Sequence, residues 1–313
     1  MVNNKKVLVA MSGGVDSSVA AQLLLKQGFF VAGAFMELLP SAKKGNALKV
    51  AKKLKIPFYT FNFKKEFKKE IVDYSLKEIK RGVTPNPCVV CNKKIKFGLF
   101  LKKAKELGFD FVATGHYAKS ENGIIKRSKS SKDQSYFLWQ LKQPEIKKII
   151  FPLADLSKEQ VEKMAVFRAK ESMDICFASN KYLKRKVGDI KDMSGDILGH
   201  HNGAFNYTIG QRKGLNLSGG PYFVVSKDIK KNILVVTKNE KDLYKKEVKL
   251  KNINWVSQKK EFVDVQIRFN QKPVKARVVG NKIIFSKPQK AVTPGQSAVF
   301  YSKDYLLGGG IML

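Results

Sequence analysis

Apolar and polar positions follow two different patterns along the chain, and the first half alternates strand-like runs with helical ones. Buried strands are predicted at residues 5–11, 29–36, 58–63 and 109–114, and helices at about 17–27, 42–55, 64–81 and 93–107. Strands that alternate with helices of this length build βαβ units. The first half therefore predicts a parallel sheet covered by helices on both faces.

The second half has the pattern of short, closely spaced strands. Helical periodicity fades after about residue 185, where glycines begin to punctuate short segments. Beyond residue 249 apolar positions alternate with polar ones. Val263, Val265, Ile267 and Phe269 face one way, and Asp264, Gln266 and Arg268 face the other. This alternation predicts a small antiparallel barrel.

Together these patterns predict an α/β protein with three units. A Rossmann-like domain with a parallel sheet spans residues 1–185, a small Gly-rich middle module spans 186–248, and a C-terminal antiparallel β-barrel spans 249–313. A chain of 313 residues is longer than one hydrophobic core usually serves. A hydrophobic content of 43% excludes a mainly disordered polycation.

Signals for membrane insertion or export are missing from the sequence. No apolar run approaches the roughly 18 residues of a membrane span, and the first residues lack the apolar core of a signal peptide. Three cysteines are too few for a disulfide scaffold. We therefore expect a cytoplasmic protein with no membrane partner.

The net charge of +34 suggests a polyanionic partner, with nucleic acid as the obvious candidate. Only seven of the 60 basic residues are arginines, however, and specific phosphate and base contacts favour the planar fork of arginine. A lysine-rich chain is also what an AT-rich genome produces whatever the protein does. Charge alone therefore does not decide between a nucleic-acid partner and an effect of genome composition.

Residues 12–17, Ser-Gly-Gly-Val-Asp-Ser, lie between the first strand and the first helix. Paired glycines let the backbone aim its N–H groups at an anion, and the helix N-terminus adds positive potential. A Gly-rich turn capped by Ser17 is the alternative interpretation. The loop contains no lysine and is not a Walker loop. It resembles the PP-loop of the ATP pyrophosphatases, which implies ATP as the substrate and adenylation as the chemistry.

Cys88 and Cys91 have C-x-x-C spacing, and Cys176 stands apart. A zinc site needs four ligands, for which His116 is the further candidate. Cysteine is also a common inert core residue. That interpretation suits Cys91 poorly, because a helix start and a nearby cluster of lysines favour its thiolate. The cluster consists of Lys93, Lys94 and Lys96.

Six further motifs occur in a fixed order along the chain. They are T-P-N-P-x-x-x-C-N-K-x-I-K-F at 84–97, A-T-G-H-Y at 113–117, S-K-D-Q-S-Y-F-L at 131–138, D-I-C-F at 174–177, Y-T-I-G-Q-R-K-G-L at 207–215 and T-P-G-Q-S-A-V-F-Y at 293–301. With these motifs the sequence resembles the tRNA-specific 2-thiouridylases of the MnmA type over nearly its whole length.

This resemblance implies a role for each matching residue. ATP would contact the loop, Ala10, Met11, Ser12, Gly13, Gly14, Val15, Asp16 and Ser17, with Met36 and Gly115 lining the adenine site. Cys91 would be the nucleophile and Cys176 the carrier of a persulfide. The target base would meet Asn86, Pro87, Cys88 and His116. Elsewhere the tRNA would meet Lys132, Asp133, Gln134, Arg268, Phe269 and Gln296.

The implied reaction replaces the 2-oxygen of a wobble uridine in tRNA by sulfur. ATP would activate that oxygen, with Asp16 as a candidate Mg²⁺ ligand, and a sulfur relay or cysteine desulfurase would load Cys176. Cys88 departs from the family pattern, because relatives usually have aspartate there. Another PP-loop thiolase, an amidating synthetase and a non-catalytic RNA-binding protein are the alternatives.

Overall fold

The computed structural model describes residues 4–165, 183 and 186–313. Cys176 lies outside the described residues. No helix in the described part of the chain combines the length and the apolar composition needed to cross a membrane.

A five-stranded parallel sheet forms the centre of the first domain. Its strands are β1 (Lys6–Ala10), β2 (Phe30–Glu37), β3 (Phe58–Asn62), β4 (Phe111–Ala113) and β7 (Ile149–Ile150). Their order is β3-β2-β1-β4-β7, and every neighbouring pair is parallel. The parallel sheet predicted from the sequence is therefore confirmed.

Helices cover both faces of this sheet. They are α1 (Val15–Lys26), α2 (Gly45–Lys53), α3 (Lys64–Phe67), α4 (Tyr74–Lys80), α5 (Pro87–Cys91), α6 (Phe100–Glu106), α7 (Gln143–Ile146) and α8 (Lys158–Met164). π-Helical segments join α3 to α4 over Lys68–Asp73 and α5 to α6 over Asn92–Leu99. Because side chains alternate along a strand, Leu8 packs in one core while Val7 and Val9 pack in the other.

Four strands build the middle module. β8 (Val187–Lys191), β9 (Ile197–Asn202), β10 (Phe223–Asp228) and β11 (Ile233–Thr237) are ordered β10-β11-β8-β9. The β11–β8 pair is parallel and the other two pairs are antiparallel. A small core of its own includes Ile190, Val224 and Leu234, which are all fully buried.

The C-terminal unit is a closed six-stranded barrel. Its strands are β12 (Tyr244–Trp255), β13 (Phe262–Gln266), β14 (Val274–Val279), β15 (Lys282–Lys290), β16 (Ser297–Ser302) and β17 (Tyr305–Met312). Antiparallel pairs run in the order β12-β15-β14-β13-β16-β17, and a β12–β17 pairing closes the ring. The predicted antiparallel barrel is confirmed.

Two features of the barrel differ from the sequence pattern. A hairpin of the first domain, β5 (Ala118–Glu121) and β6 (Ile124–Arg127), extends the barrel sheet by pairing with β17. The predicted alternation also ends early. β13 stops at Gln266, whose side-chain amide donates to the carbonyls of Arg268 and Phe269 and stabilises a turn there. Phe269 consequently packs against the first domain rather than inside the barrel.

Candidate active site

The loop from Ser12 to Ser17 connects the carboxyl end of β1 to the first turn of α1. Gly13 has φ +85°, a left-handed conformation that favours glycine. The hydroxyls of Ser17 and Ser18 donate to the carbonyl of Gly14 at 3.2 and 2.8 Å, and Ser12 Oγ accepts from the Gly14 amide at 3.3 Å. These hydroxyls therefore hold the loop in shape at the N-terminus of a 12-residue helix, where an anion is favoured.

Two glycines let neighbouring segments approach this loop closely. A Cβ on Gly13 would lie 2.8 Å from the amide nitrogen of Ala47 at the start of α2. A Cβ on Gly115 would lie 2.8 Å from both the carbonyl carbon of Asp16 and the amide nitrogen of Ser17. Gly115 follows β4 and Met36 lies near the end of β2. Both therefore lie at the carboxyl edge of the sheet, where open α/β sheets bind ligands.

Asp16 is the acidic residue in the first turn of α1 and accepts two hydrogen bonds on one oxygen. Lys158 Nζ lies 2.7 Å and the Tyr117 hydroxyl 3.0 Å from Asp16 Oδ1. Lys158 opens α8, whose start is fixed by reciprocal bonds between Ser157 and Gln160. Lys158 was not predicted from the sequence, because nothing local marks it as a neighbour of a loop 142 positions earlier.

Cys88 and Cys91 lie on the same short helix but in different environments. α5 begins at Pro87, which is well suited to the first helical position. Cys88 is exposed, whereas Cys91 is buried and belongs to the main core of the first domain. Asn92, also buried, donates to the carbonyl of Phe137 at 3.2 Å and ties the end of this helix to the 3₁₀ turn Ser135–Phe137.

His116 lies between the cysteine helix and the phosphate loop. Its ring centroid lies 5.8 Å from that of Phe97, which is six residues after Cys91, and 6.0 Å from that of Phe151. Its Nδ1 lies 2.7 Å from Thr114 Oγ1. Burial, and to a lesser degree the charge of Lys96, lowers the pKa of His116 well below its ordinary value. The imidazole is therefore neutral at pH 7.

All three units meet at the loop that leads into α5. The Thr84 amide donates to the carbonyl of Pro294 at 3.0 Å, and Gln296 Nε2 donates to the carbonyls of Thr84 and Pro85 at 3.0 and 3.3 Å. Lys227 of the middle module reaches Thr84 Oγ1 at 3.3 Å. The barrel and the middle module therefore jointly fix the approach to Asn86, Pro87 and Cys88.

Lys227 is the electrostatically unusual residue at this junction. Its ammonium also donates to the carbonyl of Tyr207 at 2.8 Å. Burial lowers the pKa of Lys227 to about 8. The ammonium of Lys227 therefore donates to two uncharged acceptors, the Tyr207 carbonyl and the Thr84 hydroxyl.

Residues 132–134, expected to meet tRNA, have different surroundings in the structure. Lys132 is exposed. Asp133 accepts from the Ser128 amide and the Ser135 hydroxyl, both at 2.8 Å, and burial raises its pKa. Gln134 Oε1 accepts from the Tyr117 amide at 3.0 Å, so it orders the segment beside the phosphate loop.

The barrel residues expected to meet tRNA lie at the junctions between units. Arg268 donates to the carbonyls of Ile209 and Ala291 at 3.3 and 3.0 Å, which links the middle module to the barrel. The ring of Phe269 lies 4.6 Å from that of Phe137 in the first domain. Gln296 contacts the Thr84 loop as described above. No group of three or more metal-binding side chains is found among residues 4–165, 183 and 186–313.

A parallel sheet whose first strand runs into a Ser-Gly-Gly-Val-Asp-Ser loop defines an α/β domain of the PP-loop class. Family models match this domain and most of the rest of the chain. Residues 5–180 match the tRNA methyl transferase HUP domain, 179–238 the tRNA methyl transferase PRC-barrel domain, and 245–312 the aminomethyltransferase beta-barrel domain.

Three curated relatives match essentially end to end. The tRNA-specific 2-thiouridylase MnmA of Clostridioides difficile is 40% identical, over 100% of this chain and 99% of the relative. The proteins of that name from Treponema denticola and Mycoplasma mycoides subsp. mycoides are 41% and 40% identical, over 98% of this chain and 97% and 98% of the relatives. The chain belongs to the tRNA-specific 2-thiouridylase family, and the resemblance found in the sequence is confirmed.

Proposed function

We propose that this chain catalyses the ATP-dependent 2-thiolation of the wobble uridine of tRNA. The observation that carries the proposal is the chain of contacts between the segment that contains Cys91 and the phosphate loop. Phe97, six residues after Cys91, packs on His116. The neighbouring Gly115 lies against the backbone of Asp16 in the phosphate loop. A base held near Cys91 would therefore lie close to a nucleotide held by that loop.

The residues in and around the phosphate loop fit the triphosphate of ATP. The left-handed turn at Gly13, the N-terminus of α1 and the ammonium of Lys158 together favour a polyphosphate. Adenylation would convert the uracil 2-oxygen into a good leaving group as AMP. Asp16 would be the candidate ligand for Mg²⁺, and that ion would screen the charge of the departing pyrophosphate.

Sulfur would arrive as a persulfide on Cys176, loaded by a sulfur relay or a cysteine desulfurase. The Cys91 thiolate would attack the inner sulfur and release hydrosulfide, forming a Cys91–Cys176 disulfide that a reductant must reopen. Hydrosulfide would then displace AMP from the activated carbon. In the second route the terminal persulfide sulfur would attack the activated carbon and displace AMP, and the Cys91 thiolate would then attack the Cys176 sulfur, releasing the 2-thiouridine and forming the same disulfide. A reducing cytoplasm suits both routes.

The tRNA would approach where the three units meet. A wobble base is stacked in its loop and must be splayed out to react. Asn86, Pro87 and Cys88 lie on the segment fixed by Gln296 and Lys227 and would receive that base. Arg268 and Phe269 would hold the three units in place around the RNA. Lys132 is exposed and would contact a phosphate of the RNA.

Pyrophosphate release tests this function. Uncharged tRNA should stimulate pyrophosphate release from ATP with no ammonia or glutamine present. A dependence on an amino donor would instead identify an amidating synthetase. Binding of tRNA without any ATP cleavage would identify a non-catalytic RNA-binding protein.

A further inference from the structure

Tyr117 is held both by its backbone and by its hydroxyl. Its amide donates to Gln134 Oε1 at 3.0 Å, and its carbonyl accepts from the Gln134 amide at 2.7 Å. Its hydroxyl donates to Asp16 Oδ1 at 3.0 Å. Because a backbone N–H needs an oxygen acceptor here, the contact with Tyr117 fixes which way the side-chain amide of Gln134 is oriented. A chain of direct hydrogen bonds therefore runs from Gln134 through Tyr117 to Asp16.

The ring of Tyr117 is tightly packed between the two ends of this chain of bonds. Tyr117 is 2% exposed and belongs to a buried cluster with Val19 and Ala20 of α1 and Val161 of α8. Protein interiors are close-packed, so a shift of the ring would displace these neighbours. The position of the hydroxyl therefore follows from the position of the Tyr117 backbone, which Gln134 holds.

The segment that contains Gln134 is itself anchored on both sides. Asp133 accepts from the Ser128 amide and from the Ser135 hydroxyl, both at 2.8 Å. The Ser135 hydroxyl also lies 3.1 Å from the hydroxyl of Tyr301 in β16 of the barrel. Gln134 consequently has a fixed place relative to both the first domain and the barrel.

The Asp16 carboxylate fits a metal ion that binds together with ATP. Mg²⁺ at nucleotide sites is usually held by one or two carboxylates together with the phosphates of the substrate. Asp16 is such a carboxylate, in the first turn of α1 at the end of the phosphate loop. The Tyr117 hydroxyl and the Lys158 ammonium both use Oδ1, so neither of them occupies Oδ2. Hydrogen bonds of this kind orient a carboxylate toward its metal.

We propose that Gln134 and Tyr117 are positioning residues for the metal of Mg·ATP, because together they set the orientation of the Asp16 carboxylate. Gln134 was expected to meet tRNA. The segment 132–134 would therefore serve both substrates, the RNA on its surface and the nucleotide through Tyr117. This inference rests on the proposed function, in which ATP binds at the phosphate loop with Mg²⁺ at Asp16.

Paired variants separate this role from a contact with RNA. Gln134→Glu keeps an oxygen that can accept from the Tyr117 amide, whereas Gln134→Met removes that acceptor. Tyr117→Phe removes only the hydroxyl and leaves the ring and the backbone bonds in place. Tyr301→Phe is the matched control, because its hydroxyl is also buried but lies against Ser135 rather than against Asp16.

The experiment measures ATP binding by calorimetry, first in EDTA and then over a titration of Mg²⁺. Loss of a group that orients a metal ligand typically weakens metal binding by roughly 10- to 100-fold. The Mg²⁺ concentration that gives half of the metal-dependent gain in ATP affinity should rise by about this factor in Tyr117→Phe. It should rise less in Gln134→Met, and Gln134→Glu should recover most of that loss. The Kd for ATP in EDTA should change much less, and Tyr301→Phe should behave as the wild type.

Three results would overturn the inference. The first is an unchanged Mg²⁺ requirement in Tyr117→Phe, and the second is equal weakening of ATP in EDTA and in Mg²⁺, which would mean that the whole loop is distorted. The third is the same Mg²⁺ requirement in Gln134→Glu and Gln134→Met. In all three cases the proposed function would stand, provided that Mg²⁺ strengthens ATP binding to the wild type.

A wild type that does not bind ATP, or binds it without any effect of Mg²⁺, would contradict the proposed function and this inference together. Thermal unfolding without ligand identifies a variant that misfolds. If Gln134→Met misfolds, Tyr117→Phe decides the question, because it keeps the backbone bonds to Gln134.

Discussion

Replacing Gly115 by alanine would place one methyl group against the backbone of the phosphate loop. Its Cβ would lie 2.8 Å from the Asp16 carbonyl carbon, 2.8 Å from the Ser17 nitrogen and 3.0 Å from the Asp16 Cβ. Normal contact begins at about 3.5 Å, so the loop or the Gly115 segment must move by roughly 0.7 Å. No flexible side-chain end is available to yield, since two of the three atoms are backbone.

The expected cost follows from this overlap. Overpacking a tight site costs about 1–3 kcal/mol, and 1.4 kcal/mol corresponds to a tenfold change in an equilibrium constant. If the loop moves, the ATP Kd should therefore rise by about 5- to 150-fold. If it does not move, the strain should lower Tm by several degrees. Calorimetric titration with ATP and thermal unfolding measure both effects on the same sample.

Gly45→Ala is the matched control. Gly45 opens α2, and no atom lies within 4 Å of the Cβ position. Alanine there should be neutral or stabilising by up to about 1 kcal/mol. If Gly115→Ala binds ATP as tightly as Gly45→Ala and has the same Tm, the close packing of Gly115 on the loop is refuted.

Three other predictions follow from the charge, the thiols and the buried lysine. Affinity for tRNA should fall by about 10³–10⁵ between 50 and 200 mM salt if roughly 6–10 phosphates are contacted, whereas a flat response in a filter-binding assay would mean that the charge of +34 does not act on RNA. Cys91→Ser and Cys176→Ser should each abolish thiolation while Cys88→Ser keeps it, and peptide mapping of oxidised protein should find a Cys91–Cys176 bridge. A Cys88 variant as inactive as Cys91→Ser would contradict this assignment. The pKa of Lys227 is about 8, whereas that of a lysine in the unfolded chain is about 10.4. Between these pH values the unfolded chain binds one more proton than the folded chain, so the free energy of unfolding should rise with pH. Lys227→Met should flatten this rise when the free energy of unfolding is measured in urea. An equal pH dependence in the wild type and in Lys227→Met would contradict the lowered pKa of the buried lysine.

Local patterns predicted the elements of this fold well. Buried strands such as β1 and β2 carry continuous apolar runs, and β13 alternates, because each pattern reports which faces of a strand are covered. The sequence pattern failed where the turn after Gln266 removes Phe269 from the barrel. That turn depends on one amide side chain bonding to the backbone just beyond it, which periodicity does not encode.

Contacts between distant segments explain the rest of what was missed. Lys158 meets Asp16 across 142 positions, and Gln296 meets Thr84 across 212. Neither pair has a local signature, because the fold creates the proximity. The phosphate loop and the cysteine motif were recognisable since each lies within one short segment. The pairing of Lys158 with Asp16 became visible only when α8 was placed against α1.

The most direct test of the proposed function is the identity of the wobble nucleoside after reaction with purified components. Unmodified tRNA is incubated with the protein, ATP, Mg²⁺ and a persulfide donor, then digested and analysed by mass spectrometry. We expect 2-thiouridine at the wobble position, with one AMP released for each sulfur incorporated, and none with Cys91→Ser. Cleavage of ATP without incorporation of sulfur, or sulfur at a position other than the wobble uridine, would contradict the proposed function.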